Sequence, residues 1–131
     1  MTAAAADRDA GRKDGELVQG GIAASTTIYK GTMVGYDSSG YLEPKDASGN
    51  TYAGVSYEAG VGTTTAGATK IRVERKGIFE FILANAAITH IGDELYAVDD
   101  QTVATTGTHK VGRAAAFLNA GKIYIDIGGY C

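Results

Sequence analysis

Residues 60–70, Gly-Val-Gly-Thr-Thr-Thr-Ala-Gly-Ala-Thr-Lys, have the outline of a phosphate-binding loop. Such a loop needs a lysine just after its second glycine and a helix N-terminus behind it, whose amides point at the anion. Aligned on Gly62 and Gly67, the lysine position holds Ala68, although Thr69 fits, and an alternating strand follows. The segment therefore reads as a flexible loop between strands. Zinc is poorly supported: His90 and His109 are the only histidines, neither lies in a helical HExxH pattern, and no cysteine pair accompanies them. Asp93, Glu94, Asp99 and Asp100 could gather a hard cation, but Asp99 and Asp100 are adjacent in a turn signal, where aspartate usually caps backbone amides. Ser25, Ser38, Ser39, Ser48 and Ser56 lack a Gly-x-Ser-x-Gly elbow, and no spacing points to a glycosidase pair of carboxylates. No catalytic, metal or cofactor-binding residues are expected.

Lys70, Arg72, Arg75 and Lys76 form the one basic cluster. It reads first as a solvated strand face with Glu74 and Glu80 as neighbours, and second as a contact for an acidic partner. Eight tyrosines and no tryptophan suit protein interfaces, since tyrosine is rigid and amphipathic.

These groups must be carried by strands. In Lys122-Ile-Tyr-Ile-Asp-Ile, Ile123, Ile125 and Ile127 share one face, and Lys122, Tyr124 and Asp126 the other. Ile71 and Val73 alternate in the same way with Lys70, Arg72 and Glu74, and Phe79, Phe81 and Leu83 keep their parity beyond Gly77. Arg75 breaks it, which predicts a bulge or bend over 75–77. Further strands are expected at 32–37, 41–43, 52–57, 94–98, 102–105 and 110–117, with a brief helical turn at 84–88. Asp37-Ser-Ser-Gly40 predicts a hairpin, and Asp46-Ala-Ser-Gly-Asn50 and Asp99-Asp-Gln101 predict turns. No long stretch has a helical period, so the chain is expected to be all-β: a small barrel or sandwich of short antiparallel strands.

A weak internal repeat runs through it. Gly31–Asp37 resembles Gly92–Asp99, Ala53-Gly-Val-Ser56 resembles Val111-Gly-Arg-Ala114, and Lys70-Ile-Arg-Val resembles Lys122-Ile-Tyr-Ile. Chance similarity in a glycine-rich β chain and a true duplication both fit this pattern. If real, it suggests two similar meanders.

At 131 residues, with 19 glycines and Pro44 as the single proline, the chain suits one domain of short strands and tight turns. A net charge of −3 gives no electrostatic reason to expect nucleic-acid binding. No apolar run is long enough to span a bilayer, and the start lacks a secretory signal's apolar core. Cys131 has no internal partner and reads as a free thiol. Residues 1–16 are alanine, glycine and mixed charge with little to bury, so they are expected to be a flexible N-terminal arm preceding a single β domain over 17–131.

Lys30-Gly-Thr-Met-Val-Gly-Tyr-Asp37, Gly40-Tyr-Leu, Tyr52-Ala-Gly-Val-Ser56, Ile71-Arg-Val, Gly77-Ile-Phe, Ile91-Gly-Asp-Glu-Leu-Tyr96, Val111-Gly-Arg and Ile123-Tyr-Ile follow one another in a particular order. That order, over about residues 17–127, resembles the capsid cement, or head decoration, proteins of tailed phages. Each motif alone is only a glycine-punctuated strand. The resemblance implies a structural, non-enzymatic β protein on the outside of an expanded phage head, assembled in the host cytoplasm. It also implies the major capsid protein as partner and a homo-oligomer, with a trimer favoured over a dimer. An N-terminal arm that reaches neighbouring coat subunits is a further implication. From this sequence itself, the residues expected at the coat contact are Arg8, Arg12, Lys13, Leu17, Arg72, Arg75 and Lys76. Two alternatives are a small β-barrel hydrolase using the acidic turn residues and a carbohydrate-binding β module.

Overall fold

Side-chain alternation builds the strands at the two places where it is cleanest. In β7 (Lys70–Glu74) Ile71 and Val73 are buried between exposed Lys70 and Arg72. In β12 (Lys122–Asp126) Ile123 and Ile125 are buried beneath Lys122, Tyr124 and Asp126. The computed structural model describes residues 17–128, so the expected arm at 1–16 and Cys131 lie outside the described residues. The remaining strands are β1 (Leu17–Gly21), β2 (Thr27–Ile28), β3 (Met33–Tyr36), β4 (Leu42–Pro44), β5 (Thr51–Ser56) and β6 (Gly60–Val61). They continue with β8 (Ile78–Leu83), β9 (Glu94–Ala97), β10 (Thr102–Ala104) and β11 (Lys110–Asn119). The chain is all-β, as expected.

Two local expectations need correction, and of the bulge or bend expected at 75–77 the structure shows the bend. The helical turn forms at Ile88–His90 as a single 3-10 turn rather than at 84–88, and the His90 Nδ1 accepts the Ala87 amide at 2.9 Å. Residues 60–69 are not a plain loop. Gly60 and Val61 pair with β2, and Gly62 N–H, Ser25 N–H and Gly67 N–H bond to Thr26, Thr63 and Ile22 carbonyls at 2.7–2.9 Å. The bend at 75–77 is no bulge within one strand. It ends one sheet at Glu74 and begins another at Ile78, with Gly77 at φ 129°.

Those two sheets repeat each other. The first half is ordered β1-β7-β5-β3-β4, and the second is a closed barrel whose strands run β8-β12-β11-β9-β10. The barrel closes through a parallel seam, Leu83 beside Val103. In the first half the corresponding seam is a single parallel bridge between Ile22 and Leu42. Register agrees as well. Val18 pairs with Val73 as Phe79 pairs with Ile125, and Val34 pairs with Gly54 as Leu95 pairs with Gly112. An irregularity of one residue follows both of the latter pairs. A Cβ on Gly54 would lie 2.3 Å from the Glu74 carbonyl oxygen, and one on Gly112 would lie 2.2 Å from that of Asp126. Both positions therefore need glycine for the same reason: the backbone of the final strand passes where a side chain would begin. The sequence repeat is a repeat of topology and of register. The halves diverge in the link before the last strand. β11 turns at Ala120–Gly121 directly into β12, whereas Tyr57–Thr69 leave β5 and return through β6.

The halves share their packing. One core cluster, Ile22, Ile28, Val34, Leu42, Ala53, Ile71 and Val73, fills the first sheet. The barrel core includes Phe81, Leu83, Leu95, Val103, Val111, Ile123 and Ile125, and is joined by Met33, Tyr52 and Val55 from the first half. Strands β3 and β5 are thus buried on both faces, with Val34 and Ala53 turned into their own sheet and Met33, Tyr52 and Val55 into the barrel.

Candidate partner-binding surface

The turn between the halves is where the described chain ends meet. Leu17 at the start of β1 pairs with Glu74, the residue before Arg75-Lys76-Gly77. From the other end, the Ile127 amide donates to the Gly77 carbonyl at 3.0 Å. Leu17 is half-buried while Arg75, Lys76 and Gly77 are exposed. Three of the expected contact residues, Leu17, Arg75 and Lys76, therefore share one corner. Arg8, Arg12 and Lys13 lie outside the described residues.

Arg72 is differently placed. Its guanidinium meets Glu58 through Nε at 2.8 Å and Nη2 at 3.4 Å, and its amide donates to the same carboxylate at 2.8 Å. The guanidinium also lies 4.8 Å from the Tyr57 ring centroid, a cation–π distance. Its carboxylate partner is Glu58, fourteen residues earlier, rather than the expected neighbours Glu74 and Glu80. Glu80 instead pairs with Lys122 at 3.1 Å. The side-chain hydrogen bond from Arg72 holds the Glu58 carboxyl below its ordinary range.

The acidic residues divide among separate tasks. Asp99 Oδ1 accepts the amides of Gln101 and Thr102 at 3.0 and 2.8 Å, and Asp37 Oδ1 those of Ser39 and Tyr41 at 2.8 and 2.9 Å. Both are turn caps. Glu94 is held by Lys110 at 3.4 Å and Arg113 at 3.0 Å. Burial, and then the neighbouring Asp99, raise the Asp100 carboxyl. Among the described residues, no three of His, Cys, Asp and Glu gather in a way that could hold a metal ion.

Lys45 is the residue sequence reasoning missed. Its side chain is fully buried, and its ammonium donates to the carbonyls of Asp46 at 2.6 Å and Asn50 at 3.0 Å. It also sits 3.0 Å from His109 Nδ1, across the junction of the halves. Desolvation lowers its pKa. Asp46 Oδ1 in turn accepts the amides of Ser48, Gly49 and Asn50, and Asn50 Nδ2 donates to Glu43 at 2.9 Å. Nothing in local sequence distinguishes this lysine from a solvated one, because His109 approaches from the other half.

Two shallow grooves flank Lys30-Gly31 where the halves meet. One, of about 270 Å³, is lined by Glu80, Ile82, Gln101 and Lys122, and the other, of about 400 Å³, by Val55, Tyr57, Glu74 and Phe79. No protein-family model, curated protein or solved structure matches this chain.

The carboxylates give the acid behaviour its sign. Side-chain hydrogen bonds from Arg72 and from Lys110 lower Glu58 and Glu94 respectively. For Asp46, burial pushes upward, but the Gly49, Asn50 and Ser48 amides and Lys45 together bring it below its ordinary value. A carboxyl lowered in the folded state adds stability that is complete above its unfolded pKa. That stability is lost as pH falls through the folded value. Stability is therefore expected to decline as pH drops below the unfolded values of 4.5 and 3.8, with Asp100 opposing because its shift is upward. Asp46→Asn keeps an acceptor oxygen and should flatten this decline in urea titrations at stepped pH. An unchanged slope would remove Asp46 from the account.

Proposed function

We propose that this protein is a structural cement for a phage head, lying on the outside of the expanded shell and bridging coat subunits as a homo-oligomer, with a trimer favoured. What carries the reading is the order of its glycine-punctuated motifs, which resembles that of capsid cement proteins. Supporting it, Leu17, Arg75 and Lys76 meet at the corner where residues 1–16 join the β domain. A basic corner next to a segment of low apolar content can contact an acidic coat surface while that segment orders on it. Ordering on binding lets a short segment cover a large area. Many equivalent sites on a shell, and several contacts per oligomer, make modest single contacts hold.

The test is sedimentation of the purified protein with expanded shells and with unexpanded precursor shells. Binding is expected to the expanded shells alone. Removing residues 2–16, or making Arg75→Glu with Lys76→Glu, should weaken occupancy at limiting protein by about tenfold or more. The β circular-dichroism spectrum should stay intact. Equal occupancy for the deletion and the parent would refute the assigned contact, and no binding to either shell would refute the function. Light scattering of the free protein reads the oligomer.

A further inference from the structure

The contact that joins the two halves has a counterpart in the second half, and its chemistry is inverted. Met33, Tyr52 and Val55 project from the outer face of β3 and β5 into the barrel, at 0%, 7% and 1% exposure. The repeat register carries each onto a position of β9 and β11. Met33 faces Val55 as Glu94 faces Arg113, and Tyr52 pairs with Gly35 as Lys110 pairs with Tyr96. The residues that correspond to an apolar docking trio are thus Glu94, Lys110 and Arg113. Their side chains are 36%, 36% and 45% exposed, and Lys110 and Arg113 both pair with Glu94, at 3.4 and 3.0 Å. Tyr96 Oη adds a contact to Glu94 at 3.3 Å, and Arg113 Nη1 donates to the Gly92 carbonyl at 3.2 Å.

A face copied from one that docks by burial is prepared in shape to dock again. Two like units joined head to tail leave one such face on the second half, and a docking contact of that kind is heterologous. It propagates as an open filament unless its rotation closes a ring. Three charged side chains oppose this, since burying them against an apolar surface strips their water, and their ion pairs with one another recover only part of that cost. We propose that Glu94, Lys110 and Arg113 terminate the tandem. They keep the second half's copy of the inter-half docking face in water, so that one chain makes this contact once, internally, and does not use it to associate with a second copy. The proposal concerns this face alone and is independent of the cement reading.

The decisive variant gives the second half the first half's residues: Glu94→Met, Lys110→Tyr and Arg113→Val together. Light scattering over a concentration series should show its weight-average mass rising about twofold or more above that of the parent, as expected for a heterologous contact. The polar triple Glu94→Gln, Lys110→Gln, Arg113→Gln should keep the parent mass. Two apolar substitutions of the same kinds on another outer face, Gln19→Tyr and Lys70→Met, should associate far less. If Lys110→Tyr disturbs the spectrum of the folded protein, the pair Glu94→Met and Arg113→Val decides instead. A mass equal to the parent's for the apolar variant overturns the proposal. Equal association of the control does so too, by making the effect mere stickiness. A fall in mass for the glutamine triple overturns it as well, by making the face a native interface.

Discussion

Gly54→Val is expected to lower the thermal midpoint by roughly 10 °C or more. Two independent costs combine. The backbone at Gly54 has φ 146°, a conformation that a side chain rarely adopts and that costs on the order of 1–3 kcal/mol. The added Cβ would also stand 2.3 Å from the Glu74 carbonyl oxygen and 2.9 Å from Val73 Cγ1. Overpacking of that kind costs about 1–3 kcal/mol more. The obstacle is the backbone of a paired strand, which cannot swing aside as a flexible side chain can. Gly112→Ala meets the same obstacle at 2.2 Å without the positive φ, so its loss should be real but smaller. Gly121→Ala supplies the contrast, because only Asn119 Oδ1 lies near, at 3.7 Å. It should change stability by less than about 0.5 kcal/mol. Similar midpoints for Gly54→Val and Gly121→Ala would contradict this account of why the repeat keeps its glycines.

Lys45→Ala should destabilise the fold by about 3 kcal/mol, through unsatisfied acceptors more than through lost charge. Its ammonium satisfies two carbonyls and one imidazole nitrogen, and removing it leaves all three near the junction of the halves. The salt bridge to Asp46 contributes little, since it is 3.7 Å long and the carboxylate is half in water. Lys45→Met separates the two terms by keeping the stem's packing while removing the donors. It should recover less than half of the loss in urea denaturation. Full recovery by methionine would mean that Lys45 acts as a space-filler. His109→Ala removes only the contact across the junction, and its smaller expected loss measures what that contact adds.

How far the sequence could be read follows from the range of the forces involved. β7 and β12 were legible because each buries one face, and the alternation is then local. β3 and β5 obscure the same signal, because Met33 beside Val34 and Tyr52 beside Ala53 serve two different cores. Their strand character showed instead through glycine and turn chemistry, as at Asp37 and Asp46. The expected bend at 75–77 was read from broken parity, but parity cannot tell a bulge from a passage between sheets. β2 and β6 are two-residue strands whose pairing depends on carbonyls elsewhere in the fold. The repeat was visible as spaced motifs, yet its strongest evidence is two glycines placed against equivalent carbonyls. Within the candidate surface, the meeting of Leu17 with Arg75 and Lys76 could not be foreseen without knowing that β1 pairs with β7. The same holds for the commitment of Arg72 to Glu58, which arises from the link that distinguishes the first half from the second.

The shared corner at Leu17, Gly77 and Ile127 has a consequence for engineering the chain. A short linker can join residues near the two described ends, and the chain can then be opened elsewhere. The exposed turn Ser38-Ser39-Gly40 is a suitable place for such a cut, since Gly40 at φ 87° has open space around it. A circular permutant of that kind would keep every strand pairing while moving its new termini to the β3–β4 hairpin. Conversely, cargo joined directly at Leu17 or at Gly128 would emerge from the same corner.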